Sequence, residues 1–598
     1  MAALAAFLFI PGLGGPFIFD DTPNIITNTA LHVSRLNLED WLYAIYSFQP
    51  GHGSRSLSML SFALDYWRGG GLDPHTFKST NLLIHALTTF VLALLLHRLL
   101  WVLHWSRRHA VIGALVFALA WAIHPLQVSS VLYVVQRMQT LSTLFLVLAL
   151  WAYLGMRQAQ IAGARSRLQG VLTVLFWALG FAGKEDAVLL PLYTLALELT
   201  VLRFQAARPK LATLWRRGYL WLVVIGAIVY LLVVVPYFWT WQAYPGRDFS
   251  TWERLLSQGR ALVMYLGQIV FPLPSRLPFY YDDFEISRSL WQPPSTLPAW
   301  LLIIGLLAWA WRWRTRRPLF AFGVLLFFAG HALTSNVIGL ELAFEHRNQF
   351  PLIGAILALG DLGMAAWQRW RLPSWLGITA IALVLTGLGI GTFKRAEDWG
   401  EPLRLANKLV EIAPHSERAW LQLAAIYADR SESKADSPDL ARSIEISERG
   451  VALTGSVPLL SNIVIKKTIQ GTATQADWRR FLDRLQQAPI SAQNRNIVWA
   501  FLRNFQRGVP LDREGIRQTI EIMSKKWTFE SSENLNFAAF IYNEDTQVEK
   551  ALPYLRKAVQ QAPLEDPNID KLLVQLKGDG REDWAKELEQ LRTTSQKK

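Results

Sequence analysis

The sequence predicts an all-α protein in which a polytopic bundle of membrane-spanning helices precedes a helical domain that folds in water. Of the 598 residues, 52% are hydrophobic and only 18% are charged. Apolar runs that approach or reach the length needed to cross about 30 Å of hydrocarbon recur through the first two thirds of the chain, at 82–100, 171–182, 220–235, 297–311, 319–333 and 376–390. The last third instead places apolar residues at three- and four-residue intervals, which is typical of helices with one buried face.

The basic residues of the membrane part indicate its orientation. Residues 1–391 contain 29 basic and 17 acidic side chains, whereas the remaining residues contain 31 and 29. The net charge of +14 therefore belongs mainly to the membrane part, and it indicates no nucleic-acid partner. Short loops rich in Lys and Arg mark the cytoplasmic side, and such loops contain Arg98, Arg107, Arg108, Arg157, Arg165, Arg167, Arg203, Arg208, Lys210, Arg216, Arg217, Arg312, Arg314, Arg316, Arg317, Arg369 and Arg371.

Because each crossing must switch the side of the membrane, the positions of these basic clusters predict about eleven spans. The N-terminus would lie inside, and everything after Lys394 would lie outside. Segment 255–271 is the exception, because a crossing there would place the last basic clusters outside; we expect it to lie in or re-enter the outer face. The first helix, 2–19, has no basic segment before it, so we expect no cleavable signal peptide. These boundaries predict a membrane domain over 1–392 and an outer domain over 393–598.

The outer domain contains two segments with similar spacing, LANKLVEIAPHSERAWLQLAAIY and LNFAAFIYNEDTQVEKALPYLRKAVQQAP. Small and aromatic residues in this order resemble tetratricopeptide repeats, whose helix pairs stack into a solenoid. Residues 430–525 show no clear period, so a helical bundle without repeats stays open.

Residues able to carry chemistry fall in the segments assigned to the outer face. An ionisable side chain within hydrocarbon costs about 2.5–3.5 kcal/mol on insertion scales, so such residues at span ends usually contact water, each other or a ligand. The candidates are Asp20, Asp21, Arg55, His85, His124, Arg137, Lys184, Glu185, Glu345, His346 and Arg347.

Each candidate also has a purely structural interpretation. Asp20 and Asp21 could be solvated at a helix end, and Lys184 with Glu185 could form a polar turn. His85 and His124 could be packing histidines bonded to the backbone, and Arg137 could extend to the membrane surface.

Six motifs in order resemble one family: FDD, RSLSMLSFALDY, NLLIH, the HP loop, GKE and the EHR segment. Together with the outward repeats, they resemble the transmembrane and tetratricopeptide-repeat O-mannosyltransferases and their bacterial relatives, which are GT-C membrane glycosyltransferases. Ser56 stands where proline is common in that family, the repeats are degenerate, and the acceptor need not be the cadherin-type proteins of the animal enzymes.

The resemblance implies an enzyme that moves one sugar from a polyprenyl-phosphate carrier to a hydroxyl of an exported protein, for example a pilin, or of a glycan. It implies a multi-pass protein of the bacterial inner membrane with its active site and repeats in the periplasm. Asp20 would be the general base, with Asp21 and Glu345 positioning it. The residues that would bind the donor are Arg347, His346, Lys184, Glu185, Arg137, His124, Arg55 and His85. No cofactor or metal is required, although some relatives use a divalent metal.

Two other functions remain open at this point. A transporter of lipid-linked saccharides would place ionisable residues near the midplane, whereas here they gather at one interface. A membrane-anchored scaffold would use the repeats alone and would not need the outer charges.

Overall fold

The computed structural model describes residues 1–48, 54–489, 491–563 and 565–595. The chain divides into two compact units, Met1–Gln242 with Phe249–Ala413, and Ala243–Asp248 with Pro414–Lys598. Over the described residues, every regular element is helical. The boundary predicted at residue 392 falls inside the helix Ser374–Asp398, whereas the two units divide after Ala413.

The first unit contains seventeen α-helices among its described residues. In chain order they are α1 (Ala2–Phe7), α2 (Leu38–Ile45), α3 (Ser56–Gly69), α4 (Pro74–Val102), α5 (Arg107–Ala122), α6 (Gln127–Leu132), α7 (Arg137–Ile161), α8 (Arg167–Gly183), α9 (Leu190–Leu197), α10 (Pro209–Val229), α11 (Val235–Phe238), α12 (Thr251–Val270), α13 (Thr296–Trp313), α14 (Pro318–Gly330), α15 (Pro351–Trp370), α16 (Ser374–Asp398) and α17 (Pro402–Ile412).

Six helical segments among the described residues are long and apolar enough to cross a membrane: Pro74–Val102, Val134–Ile161, Pro209–Phe238, Thr296–Trp313, Pro351–Trp370 and Ser374–Asp398. Three shorter apolar helices accompany them, Ala2–Gly12, Arg167–Gly183 and Pro318–Gly330. Large apolar side chains such as Leu232, which is 71% exposed, stand on the outside of this unit, where lipid would cover them. The chain is a multi-pass membrane protein; the count of about eleven spans stays a prediction.

Helix α12 covers the segment that the charge pattern set apart, and it is absent from the six candidate spans. Its buried face carries polar side chains, among them Arg254 and Gln258. Arg254 donates to the carbonyl oxygens of Asn336 (2.9 Å) and Thr334 (2.6 Å). The helix therefore holds the loop around residues 334–336, which precedes the EHRN segment (Glu345–Asn348).

The core of this unit is formed where α4, α5, α7, α8, α14 and α15 pack side by side. Helices α14 and α15 approach each other closely at two glycines, Gly323 and Gly354. A Cβ atom added at Gly323 would lie 2.4 Å from the carbonyl oxygen of Gly354, so only glycine permits this contact.

Where the structure describes it, the second unit contains eleven α-helices: α18 (Glu417–Arg430), α19 (Pro438–Thr454), α20 (Val457–Gln470), α21 (Gln475–Gln487), α22 (Ala492–Arg495), α23 (Ile497–Gln506), α24 (Arg513–Lys526), α25 (Ser531–Glu544), α26 (Leu552–Gln561), α27 (Pro567–Gly578) and α28 (Glu582–Ser595). The second repeat-like segment forms α25 and α26, which pack against each other: the hydroxyl of Ser531 donates to Ala558 O at 2.9 Å. In the first, α17 belongs to the first unit and α18 to the second. The assignment to tetratricopeptide repeats stays a prediction.

Candidate functional site

Asp21 lies in the loop of residues 17–22, here called the acidic loop, and its side chain is fully buried. Its two carboxylate oxygens accept from the backbone N–H groups of Ile18 at 2.9 Å and Val135 at 2.7 Å. Burial raises the pKa of Asp21 to about 7, although these two hydrogen bonds act to lower it. Asp21 therefore fastens the acidic loop to the segment that precedes α7.

Asp20 differs from its neighbour because its side chain is only partly buried. Its backbone N–H donates to the hydroxyl of Tyr133 at 2.8 Å. The preceding residue, Phe19, has φ +47°, a left-handed conformation that is uncommon outside glycine and costs free energy. The loop thus leaves Asp20 partly exposed while Asp21 is fully buried.

Lys78 contacts the segment 12–15 that precedes this loop, and sequence reasoning missed it. The side chain is 1% exposed, and its ammonium donates to Gly12 O at 3.2 Å. A Cβ atom at Gly15 would lie 2.8 Å from the Lys78 nitrogen, so the glycine permits the approach. A lysine in the second turn of α4, just before the apolar run at 82–100, was the signal in the sequence.

The EHRN segment, Glu345–Asn348, forms a 3-10 turn before α15. Burial first, and then the charges of Lys184, Arg347 and Arg55, lower the pKa of His346 well below its usual value. Three predicted cations thus act on one imidazole, which is kept neutral. The structure brings these four predicted residues together.

Aromatic rings connect the acidic loop to the cationic group, by which we mean Arg55, Lys184 and Arg347 around His346. The Phe19 ring lies 6.4 Å from the Phe344 ring, which stacks on His346 at 5.1 Å. The Arg347 guanidinium lies 5.5 Å from the same Phe344 ring and donates to Leu342 O at 3.2 Å. Phe19, Phe344 and His346 therefore link the acidic loop to the segment that carries Arg347.

Arg55 and Glu185 form an ion pair at the other side of the cationic group. Arg55 Nε donates to Glu185 Oε2 at 2.9 Å, and a second bond joins Nη2 to Oε1. Burial acts to raise the pKa of Glu185, but hydrogen bonding and charge from Arg55, with a further contribution from Lys184, lower it to about 2. Lys184 also donates to Gln139 Oε1 at 2.8 Å.

A groove of about 700 Å³ opens at this ion pair. One wall is apolar and comes from α8, and the other end is polar. Its lining consists of Ser54, Arg55, Ser56, Val174, Trp177, Ala178, Phe181, Ala182 and Glu185. We call it the α8 groove; such a mixed lining suits a molecule with a charged head and an apolar tail.

Arg137 is placed differently from the other predicted cations. It is fully buried, and its guanidinium donates to Asn81 Oδ1 (2.7 Å), Ser61 O (2.9 Å) and Phe77 O (2.6 Å). It also pairs with Asp65 at 2.5 Å. These contacts occupy the guanidinium, so Arg137 joins helices and does not line the α8 groove.

His85 and His124 are buried packing histidines, as their structural interpretation predicted. The His85 ring lies between Phe9 and Trp121, with centroids 5.2 and 5.1 Å away. His124 donates from Nε2 to Ile269 O at 3.1 Å, and burial lowers its pKa to about 4. A neutral buried imidazole adds no positive charge for a phosphate.

Glu345 is 1% exposed and pairs with Arg395 at 2.5 Å. It also accepts from the backbone N–H of Phe279 at 3.2 Å. Its carboxylate therefore fixes the start of the EHRN segment. Within the described residues, no group of three or more His, Asp or Glu side chains is arranged to hold a metal ion.

Comparison with known proteins finds relatives with the same family name that the motifs indicated. The chain is 29% identical over 200 residues to the human protein O-mannosyl-transferase TMTC4, covering 31% of this chain and 27% of the relative. It is 31% identical over 192 residues to Tmtc2 of Drosophila melanogaster (31% and 20% covered), and 30% identical over 183 residues to tmtc2 of Xenopus laevis (30% and 21% covered). The predicted resemblance to these O-mannosyltransferases is confirmed.

The matched part spans only about a fifth to a quarter of the length of these relatives. No family model matches the chain, and no solved structure matches it.

Proposed function

We propose that the chain is a membrane glycosyltransferase that moves a single sugar from a polyprenyl-phosphate donor to a hydroxyl group of an exported protein or glycan. The α8 groove is the observation that carries this proposal. Its apolar wall suits a prenyl chain, and its polar end lies at Arg55, one of the three cations grouped around His346. The animal relatives are named for protein O-mannosyl transfer, so mannose is the first sugar to test.

In the proposed reaction, Asp20 acts as general base. The acceptor hydroxyl gives its proton to the Asp20 carboxylate while its oxygen bonds to the anomeric carbon of the sugar. The bond between that carbon and the phosphate oxygen breaks, and polyprenyl phosphate leaves with the bonding electron pair. Attack from the face opposite the leaving group inverts the configuration.

The leaving phosphate gains negative charge during this step. Arg55, Lys184 and Arg347 would stabilise it, because fixed cations interact more strongly with the transition state than with the bound donor. Glu185 holds Arg55 before the donor arrives. Arg137, His85 and His124, whose contacts are all internal, are left out of this cradle.

Asp21 and Glu345 would position the reacting groups without touching them. Asp21 fixes the acidic loop, and Glu345 fixes the EHRN segment. The scheme needs no metal, because the cations of the chain supply the charge that a metal would otherwise provide.

The second unit would bind the acceptor. A groove of about 380 Å³ among α25, α26 and α27 combines an apolar floor with amide side chains, including Asn536, Asn543 and Asn568. Amides offer both donors and acceptors to the backbone of an extended polypeptide. The basic-loop pattern supports an active site and acceptor groove on the periplasmic side of a bacterial inner membrane.

Mass spectrometry tests this function when it compares the exported proteins and surface glycans of a wild-type strain with those of a deletion strain. We expect at least one exported protein or glycan to lose the mass of one sugar in the deletion strain. The purified full chain in nanodiscs, given polyprenyl-phosphate mannose, should restore that mass to it. Identical masses in both strains, or uptake of the lipid-linked saccharide across vesicles without transfer, would overturn the proposal.

A further inference from the structure

Helix α12 makes contacts that the proposed reaction does not use. Arg254, Gln258 and Tyr265 are spaced four and seven residues apart, so they lie on one face of the helix, and all three are buried. That face meets the loop between α14 and the EHRN segment, where Arg254 donates to carbonyl oxygens near the start of the loop. The other two residues reach the part of the loop next to Arg347.

Arg347 contacts two groups of this loop that α12 also holds. Its guanidinium donates to Leu342 O at 3.2 Å and lies 5.5 Å from the Phe344 ring. Gln258 donates to the same Leu342 O at 3.0 Å, and the Tyr265 hydroxyl accepts from the Phe344 N–H at 2.8 Å. The helix therefore fixes the carbonyl oxygen and the residue against which the guanidinium lies.

We propose that Gln258 and Tyr265 are positioning residues that hold the Arg347 guanidinium in place for the donor phosphate. This inference rests on the proposed function, in which Arg347 stabilises the leaving phosphate. A cation whose place is set in advance stabilises developing charge without moving at the moment of reaction. Leu342 O, which accepts from both Gln258 and Arg347, sets where that charge lies.

Gln258 carries a free-energy cost that folding alone does not explain. It is 1% exposed, and its amide oxygen has no hydrogen-bond partner among the described residues. An unpaired buried amide oxygen is destabilising, and an unbranched apolar side chain such as methionine would avoid that cost. Leu342 O would still accept from Arg347 in such a variant. Gln258→Met should therefore fold normally.

A double-mutant cycle on the binding of polyprenyl phosphate, measured with the full chain in nanodiscs, tests the proposal. Gln258→Met should weaken binding by about 2- to 10-fold, which is the order that one neutral hydrogen bond contributes. In the Arg347→Met background the same change should have almost no effect, because the cation that it positions is gone. Equal losses in both backgrounds, or no loss when Arg347 is present, would overturn the proposal.

Gln268 supplies a matched control on the same helix. It is also buried, but it donates to Arg276 O at 3.1 Å and to the Tyr281 hydroxyl at 2.9 Å, which belong to a different loop. Gln268→Met should leave the binding of polyprenyl phosphate unchanged in both backgrounds. A loss equal to that of Gln258→Met would mean that α12 supports the whole unit, and it would overturn the specific role.

Tyr265→Phe tests the second attachment and replaces Gln258→Met if that variant does not fold. It keeps the ring that stacks on His331 at 5.2 Å and removes only the hydroxyl that accepts from Phe344. Its loss of phosphate binding should likewise disappear in the Arg347→Met background. The same loss in both backgrounds would contradict positioning through Arg347.

The wild type and Arg347→Met separate this proposal from the proposed function. A wild type that binds no polyprenyl phosphate, or an Arg347→Met variant that binds it as tightly as the wild type, would reject the donor cradle and the inference with it. Binding that depends on Arg347 but not on Gln258 or Tyr265 would reject the inference alone and leave the proposed function standing.

Discussion

The Arg137–Asp65 pair and the Arg55–Glu185 pair both join an arginine to a carboxylate in the first unit, but their surroundings differ. The side chains of the first pair are 0% and 2% exposed, and further backbone oxygens surround the guanidinium. Those of the second pair are 20% and 48% exposed and line the α8 groove. The first pair is closed to any ligand, whereas the second can open to one.

The difference shows that residue type and outward placement do not by themselves make a binding site. Losing one member of a buried pair destabilises the fold, because the other charge stays buried without its partner. A partly exposed pair contributes little to folding, but it can exchange one partner for a ligand. Replacing each member separately tests whether the two pairs divide in this way.

The largest effect is expected for Arg137→Ala. It would leave Asp65 buried without its main cation, which costs about 3–5 kcal/mol. We expect most of the protein to be lost on extraction, as measured by size-exclusion chromatography, and the rest to unfold at lower temperature. Arg137→Met combined with Asp65→Leu should recover part of this loss. If Arg137→Ala folds normally but binds the donor more weakly, Arg137 is a binding residue and our structural assignment is wrong.

Arg55→Ala should fold normally but bind the donor more weakly. Removing one charge-assisted hydrogen bond to a phosphate costs about 1.5–3 kcal/mol, or roughly 10- to 150-fold in affinity. Binding of polyprenyl phosphate to the chain in nanodiscs measures this directly. Glu185→Gln is the matched variant, and it should tighten phosphate binding because a competing negative charge is removed. Weaker phosphate binding in both variants would contradict our account of the groove.

A smaller effect is expected in the second unit. Asn543→Ala removes one amide from the groove among α25, α26 and α27, and it should raise KM for the large acceptor several-fold, since a neutral hydrogen bond contributes about 0.5–1.5 kcal/mol. Hydrolysis of the donor should not change. Equal loss of both reactions would mean that this groove supports the active site instead of the acceptor.

The sequence predicted the helical class and most apolar helices, because hydropathy is a local property of the chain. It also assigned Lys184, His346 and Arg347 to the same membrane face, because their motifs lie between the basic clusters. It could not distinguish Arg137 from Arg55. The internal acceptors of Arg137, such as Ser61 O and Phe77 O, lie far from it in sequence.

The same limit explains Lys78 and Tyr133, which sequence reasoning missed. Their contacts depend on the chain between Gly12 and Asp20 folding back onto them: Lys78 donates to Gly12 O, and Tyr133 accepts from the Asp20 N–H. Nothing in the spacing of these residues predicts such a return. The different burial of Asp20 and Asp21 is likewise set by the left-handed Phe19, which residue type did not indicate.

The central claim is that Asp20 is the general base, and the transfer rate of Asp20→Asn tests it most directly. Asparagine keeps the size of the side chain but cannot take the proton, and general-base participation contributes about 10²- to 10⁴-fold in rate. We predict that transfer from polyprenyl-phosphate mannose falls at least about a hundredfold while phosphate binding and folding stay near wild type, with a smaller loss in Asp21→Asn. Retention of more than about a third of wild-type transfer in Asp20→Asn would contradict this account.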